Sequence, residues 1–404
     1  MAGKRHGGEK FSPATPPSAE VTVAYTGSGA PSCLETIETT CASQVDDPVS
    51  IVSMKGCGLI DTSSSGRERP WNEYKARSKR LGDAYGRIAE ETGDDSFARA
   101  SAAVASCGDY LEFIMGVDTE TGEEVRRLKS AHFCRDRLCP VCQWRRSLVL
   151  YHEMMRCMEW VDEHCGRLVP LFLTLTVRNV EDDELANALD GIMKAFSRML
   201  RWAGMKRRVK GSYRAVEVTK NSDRGTWHPH IHAVLLVPPE YFTDSALYLD
   251  KQGWIREWRR ALGVDYDPSI AIGVLGKDGD RGKAILEVCK YSVKPGDWEG
   301  DSDDETDNNV AVLRNALRDR RLVSMTGVLR DAKAALKLED AESDDADLVN
   351  TGDDSAESVV WLATEFYKWS DVGYVCARVV VEPGVVLVRD DGTFYRARGM
   401  PRAA

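Results

Sequence analysis

The sequence predicts an α+β protein: an antiparallel sheet with helices on one face, preceded by a small cysteine-rich subdomain. Three observations predict it. Between residues 166 and 296 the segments alternate as strand, helix, strand, strand, helix, strand, helix. The two adjacent strands are separated by residues 221–226, whose Asn, Asp and Gly suit a hairpin turn. Upstream, Cys134, Cys139 and Cys142 form a C-x4-C-x2-C run, with Cys107 before it in a loop-like Cys-Gly pair.

Taken in order, residues 1–68 are rich in Gly, Ser, Thr and Pro without a sustained apolar period, so we expect a disordered extension. Folding is expected to start near Trp71. A helix over 73–91 and short strands and knuckles over 107–142 make a zinc-ribbon-like region at 69–165, closed by a helix at 144–164. Strand 169–177 opens the main unit, 166–296. Helix 183–202 is marked by Leu185, Leu189, Met193, Phe196 and Leu200 at helical spacing. Strands 211–220 and 230–237 form the hairpin, 241–262 is a helix with Trp254 and Trp258 at i, i+4, 269–275 is a strand, and 282–294 a last helix. This order suits a split βαβ, ferredoxin-like sheet. Two acidic runs, 297–309 and 339–357, are expected to be solvated linkers. Between them 310–338 has helical spacing. The end, 358–404, reads as a small α/β segment, helical over 359–369 and strand-like over 374–395.

Composition excludes several classes. The 404 residues are 43% apolar and 29% charged, enough for two or three packed domains and too polar for a membrane protein. No stretch approaches the roughly 18 uncharged apolar residues of a membrane span, and the basic start runs into Pro, Ser and Thr, so a cytoplasmic location is expected. Basic residues number 54 against 64 acids, a formal charge of −10, so nucleic-acid binding requires a local patch. One exists: Lys194, Arg198, Arg201, Lys206, Arg207, Arg208, Lys210 and Arg214 come without an acid between Asp190 and Glu217. Trp202 and Tyr213 are interleaved, as a phosphate backbone with stacking bases would need. Eleven cysteines, an odd number without an export signal, argue for metal binding or burial over disulfides. Four of them, Cys107, Cys134, Cys139 and Cys142, suit a structural Zn²⁺.

Three of the seven histidines fall in His228-Pro229-His230-Ile231-His232. On a strand, residues two apart share a face, so His230 and His232 project together and can share one divalent ion. A plain polar strand face would look the same. His228 would join them if the strand began earlier, but Pro229 argues for a strand edge. Glu217, between valines on the neighbouring strand, is a candidate third ligand. Two imidazoles and a carboxylate suit Mg²⁺ or Mn²⁺ with waters, and would also accept zinc. On the last helix Glu287, Tyr291 and Lys294 fall at i, i+4 and i+7, one face. A tyrosine nucleophile needs a cation or metal nearby, which Lys294 and the ion supply, and a carboxylate one turn away can take a proton or activate water. An ordinary amphipathic helix with an ion pair has the same pattern.

Taken jointly and in this order, Cys107-Gly108, the 133–142 run with Arg145-Arg146-Ser147, the strand Phe172-Leu173-Thr174-Leu175-Thr176, His230-Ile231-His232, Glu287 to Tyr291 and then 320–327 resemble one family. It is that of rolling-circle plasmid replication initiators (Rep), within the HUH endonuclease superfamily. The resemblance spans about 81–338. It implies an HUH-type sheet and a tyrosine-type single-strand DNA endonuclease and strand transferase. Tyr291 would cleave one strand at the double-strand origin, becoming joined to the 5′-phosphate and leaving a 3′-hydroxyl. Glu287 would activate water to terminate, His230 and His232 would hold the ion, Glu217 would complete the site, and Lys294 would assist at the phosphate. Origin DNA, a host helicase and a polymerase are the implied partners. The competing readings are an HUH transposase or mobilisation relaxase, and a non-catalytic zinc-ribbon DNA-binding regulator.

Overall fold

The computed structural model describes residues 58–59, 61–63, 66–121, 124–275, 281–289, 293–343, 345–352 and 358–381, with strand fragments at 23–24, 51–52, 386–388 and 394–396. After two short strands, β1 (Val23–Ala24) and β2 (Ile51–Val52), come helices α1 (Trp71–Thr92) and α2 (Asp95–Ala105). The antiparallel pair β3 (Tyr110–Asp118) and β4 (Glu124–Ala131) leads into the long helix α3 (Pro140–His164). Strand β5 (Val169–Thr176), helices α4 (Leu185–Arg201) and α5 (Ala203–Arg208), and the hairpin β6 (Gly211–Asn221) and β7 (Thr226–Val237) follow. Helix α6 (Lys251–Leu262), strand β8 (Ile270–Val274) and helix α7 (Arg281–Val288) complete this part. The remainder comprises α8 (Pro295–Trp298), α9 (Asp303–Leu317), β9 (Val323–Gly327), α10 (Val328–Ala335), β10 (Val359–Ser370), β11 (Gly373–Val381), β12 (Val386–Val388) and β13 (Phe394–Arg396).

The protein is therefore α+β with antiparallel sheets. Its central sheet runs β8-β5-β7-β6-β9, all neighbours antiparallel. Strands β5 and β6, consecutive through α4, are separated by β7. Helices cover both faces of this sheet, where the sequence suggested one. The cause lies in β7, which is apolar in both registers. Ile231, Ala233, Leu235 and Val237 share a core with Phe196 of α4 and Trp258 of α6. Val234 and Leu236 share a second core with Met154 of α3, Ile285 of α7 and Leu329 of α10. A strand with two apolar faces must be covered twice.

Several local expectations are corrected. Helix α6 starts at Lys251, not 241, because the Asp250 side chain accepts from Gly253 N–H at 2.6 Å and caps it there. Helix α7 ends at Val288 and a separate short helix, α8, begins at Pro295, whose fixed φ suits a first helical position, so 282–294 is not one helix. The acidic run 297–309 is not a solvated linker but the start of α9. Ser302 accepts from Glu305 N–H at 3.2 Å, and Asp303, Asp304 and Glu305 face the positive end of the helix dipole. The described part of 339–357 also packs: Leu348 and Val349 carbonyls accept from Arg145 of α3 at 2.8 and 2.7 Å. Strand β9 interrupts the expected helical segment 310–338 and extends the central sheet beside β6. Gly327 ends it at φ +58, where a Cβ would lie 2.0 Å from the Lys210 carbonyl oxygen, so only glycine fits.

Residues 359–369 are strand β10, not helix, in keeping with their β-branched and aromatic residues. With β11 they complete the second sheet, β2-β11-β10-β3-β4, so the C-terminal segment is joined to the cysteine-rich region. Most of 1–68 lies outside the described residues, yet Leu59 and Asp61 are buried, and Trp71 Nε1 donates to Asp61 at 2.7 Å, so packing begins before Trp71. No described helix is long and apolar enough to cross a membrane.

Beside the second core of the central sheet, Glu153 on α3 pairs with Lys333 on α10. Lys333→Ala would leave a carboxylate buried without its partner. Urea unfolding is expected to show a loss of about 3 kcal/mol.

Candidate active site and structural metal centre

The antiparallel register of three strands builds the first site. Glu217 on β6 lies opposite His230 on β7, and Thr174 and Thr176 of β5 lie opposite His232 and His230. All therefore share one face of the sheet. Glu217 Oε2 lies 2.8 Å from His232 Nε2 and 3.4 Å from His230 Nε2. Both imidazoles turn their Nδ1 atoms away: His230 Nδ1 lies 3.1 Å from the His228 carbonyl oxygen and His232 Nδ1 3.2 Å from Thr174 Oγ1. A carbonyl only accepts, so His230 carries a proton on Nδ1, and Nε2, which faces Glu217, is the atom that would give up its proton to bind a metal. Phe172 stacks on His232 with ring centroids 5.6 Å apart and limits its rotation. The three donor atoms lie within 4.8 Å of one another, so the residues fit a single divalent ion.

Lys294 completes the cluster, its Nζ 2.8 Å from the other carboxylate oxygen, Oε1. Burial of Glu217 acts to raise its pKa, but hydrogen bonds from His230, His232 and Lys294 outweigh it and hold the carboxyl well below its ordinary range. Glu217 is thus ionised at neutral pH. Its hydrogen bond in turn raises the Lys294 pKa, with smaller contributions from Asp297 and Glu287. Glu287 is exposed on α7, and Lys294 lies beyond that helix, so the two do not share one helical face. Tyr291 lies outside the described residues. Strand β7 begins at Thr226, so His228 does share the histidine face, its ring stacked on His230 at 5.2 Å. Pro229 sits just past the end of β5, where β7 has only β6 as a ladder partner.

The basic stripe divides. Arg198, Arg201, Lys206, Arg207 and Lys210 are exposed. Arg208 donates to the carbonyls of Leu247, Ala246 and Gly204, and Arg214 is buried and donates to the Arg321 carbonyl, so these two brace the fold and leave the surface patch to the others. Arg198 and Arg201 lie on α4, Lys206 and Arg207 on α5, and Lys210 directly before β6, whose first residue is six positions from Glu217, or about 20 Å of strand. Sequence reasoning assigned no role to Thr174 or Asp297. The former was legible as a polar residue in an apolar strand, on the face opposite to Leu173 and Leu175.

The four cysteines form the second centre. Cys107 follows α2, Cys134 follows β4, Cys139 caps α3 and Cys142 lies in its first turn. Sγ–Sγ distances of 3.5, 3.6 and 3.7 Å link Cys107 to Cys142, Cys134 to Cys142 and Cys139 to Cys107. Thiolates about 2.3 Å from a tetrahedral Zn²⁺ would lie about 3.8 Å apart, so this set fits. Arg135, at φ +59, presents its N–H to Cys142 Sγ at 3.2 Å. A fully buried lysine that sequence reasoning passed over, Lys75, holds the Cys107 turn through the carbonyls of Ala105 and Cys107 at 2.7 and 2.8 Å.

The family model described as replication protein matches residues 125–375, from β4 into β11. The chain belongs to the replication protein family. Among its relatives, the Rep protein of Bacillus amyloliquefaciens is 34% identical over 315 residues, 73% of this chain and 90% of the relative. That of Streptococcus pneumoniae serotype 2 is 34% identical over 319 residues, 76% and 93% of the two chains. A third Rep protein, from a Bacillus species, is 36% identical over 288 residues, 67% and 90%. No solved structure matches. The motifs thus belong to a Rep protein of the rolling-circle plasmid initiator family, as their order and spacing suggested.

Proposed function

We propose that this Rep protein nicks one strand of its plasmid origin through Tyr291, using an HUH-type site built from Glu217, His230, His232 and Lys294. The observation that carries the reading is the convergence of these four residues on one sheet face. Tyr291 is covalently three residues from Lys294, which limits their Cα separation to about 11 Å. Glu217, His230 and His232 would hold a divalent ion, which would supply positive charge to the phosphate.

The Tyr291 hydroxyl attacks phosphorus, forming the Tyr–O–P bond and breaking the bond to the 3′-oxygen; the phenol proton is lost to water and water returns one to the 3′-oxygen, which leaves as a 3′-hydroxyl. Lys294 stabilises the charge on the phosphate oxygens. Glu287, exposed near Lys294, accepts a proton from water in the terminating hydrolysis of the phosphotyrosine. The exposed basic residues of α4 and α5, with Lys210, engage the DNA backbone away from the cut. The 3′-end serves the host polymerase.

The test is incubation with labelled single-stranded origin DNA and Mn²⁺. A protein–DNA species that survives denaturation is expected, and its absence for every origin strand would overturn the reading. His230→Ala and His232→Ala are each expected to slow nicking at least about a hundredfold and to weaken Mn²⁺ binding by calorimetry.

A further inference from the structure

We propose that Asp297 is the positioning residue that holds Lys294 on Glu217, an inference that deepens the nickase reading and rests on it. Lys294 lies beyond the end of α7 and directly before α8, and Asp297 ties its backbone down. Its Oδ2 accepts from the Lys294 N–H and its Oδ1 from the Lys220 N–H on β6, both at 3.1 Å. Its own N–H donates to the Lys294 carbonyl at 2.9 Å, closing the turn. One carboxylate thus staples the Lys294 turn to the strand that carries Glu217.

The staple is itself anchored. Trp298, the next residue, is fully buried, and its carbonyl accepts from Asn309 Nδ2 at 3.5 Å. Asn309 Oδ1 accepts from Lys220 Nζ at 3.0 Å, so main chain and side chain of Lys220 both meet the 297–309 region. Asp297 does not belong to the group of donor atoms that lie within 4.8 Å of one another around Glu217, which separates its role from metal ligation. With both oxygens occupied by main-chain N–H groups, its task is to set distance and direction for the ammonium.

Single-turnover cleavage of labelled origin DNA with Mn²⁺ tests the inference. Asp297→Ala is expected to slow adduct formation by about 10- to 100-fold, since a misplacement on the order of 1 Å costs that much. Its KM for DNA and Mn²⁺ affinity should stay within about twofold of wild type. In a Lys294→Ala background the same change should add less than about twofold, because both act through one contact. Full additivity there, or an unchanged rate in Asp297→Ala, overturns the proposal. If the alanine variant does not fold, Asp297→Asn, with one acceptor oxygen, replaces it under the same criteria. Hydrogen exchange at the Lys294 amide gives a readout independent of nicking: protection in wild type should be lost in the variant. Equal exchange overturns the positioning role, whereas normal loss of protection in a protein that forms no adduct overturns only the nickase reading.

Discussion

Tyr291→Phe is expected to abolish the covalent protein–DNA species, to below about one part in a thousand of wild type, while leaving origin binding unchanged in a mobility-shift assay. The change deletes a single oxygen. Phenylalanine keeps the ring, and what disappears is the oxygen proposed to form the bond to phosphorus. The cluster of Glu217, His230, His232 and Lys294 is untouched, and Mn²⁺ should bind the variant with wild-type affinity. Wild-type adduct yield in the variant would remove Tyr291 from the chemistry. Loss of metal binding would instead mean that the substitution had disturbed the fold.

Cys139→Ser is expected to remove bound zinc and to lower the melting temperature by roughly 10 °C or more. Cys139 is fully buried as the cap of α3, and its sulfur lies 3.7 Å from Cys107 Sγ and 3.2 Å from Ser78 Oγ. Serine would put an oxygen with little affinity for Zn²⁺ among three thiolates. The elements that meet there are α1, α2, the end of β4 and α3, so the penalty reaches well beyond one loop. Elemental analysis of the purified protein should find about one zinc per chain in wild type and none in the variant. Equal zinc content and equal melting would show the four sulfurs to be merely packed.

Much of the site could be read before the fold was known. The His230 and His232 pairing follows from the two-residue period of a strand, and Glu217 joins them because a hairpin turn at 221–226 fixes the register of β6 against β7. The four cysteines were legible from spacing. Lys294 was reached for the wrong reason: helical periodicity suggested it, yet it lies past the end of α7 and directly before α8. Asp297 was lost within a run of acids, since charge density alone cannot separate a solvated linker from the acidic first turn of a helix. A separating signal was present, the Ser302-Asp303-Asp304-Glu305 cap signature before α9. Strand β10 was misjudged because consecutive apolar residues such as Val359, Val360 and Trp361 fit either period. Its partner β3, distant in the chain, decides the matter.

That pairing constrains how the protein is born. Tyr110 on β3 finds its neighbour in Lys368, about 250 residues downstream, after the entire central sheet. A nascent chain leaves the ribosome with one side of β3 bare until β10 and β11 emerge, an open edge inviting aggregation. Premature stop codons before residue 359 should accordingly yield insoluble products, however intact the catalytic cluster, making completion of translation a checkpoint on the initiator supply.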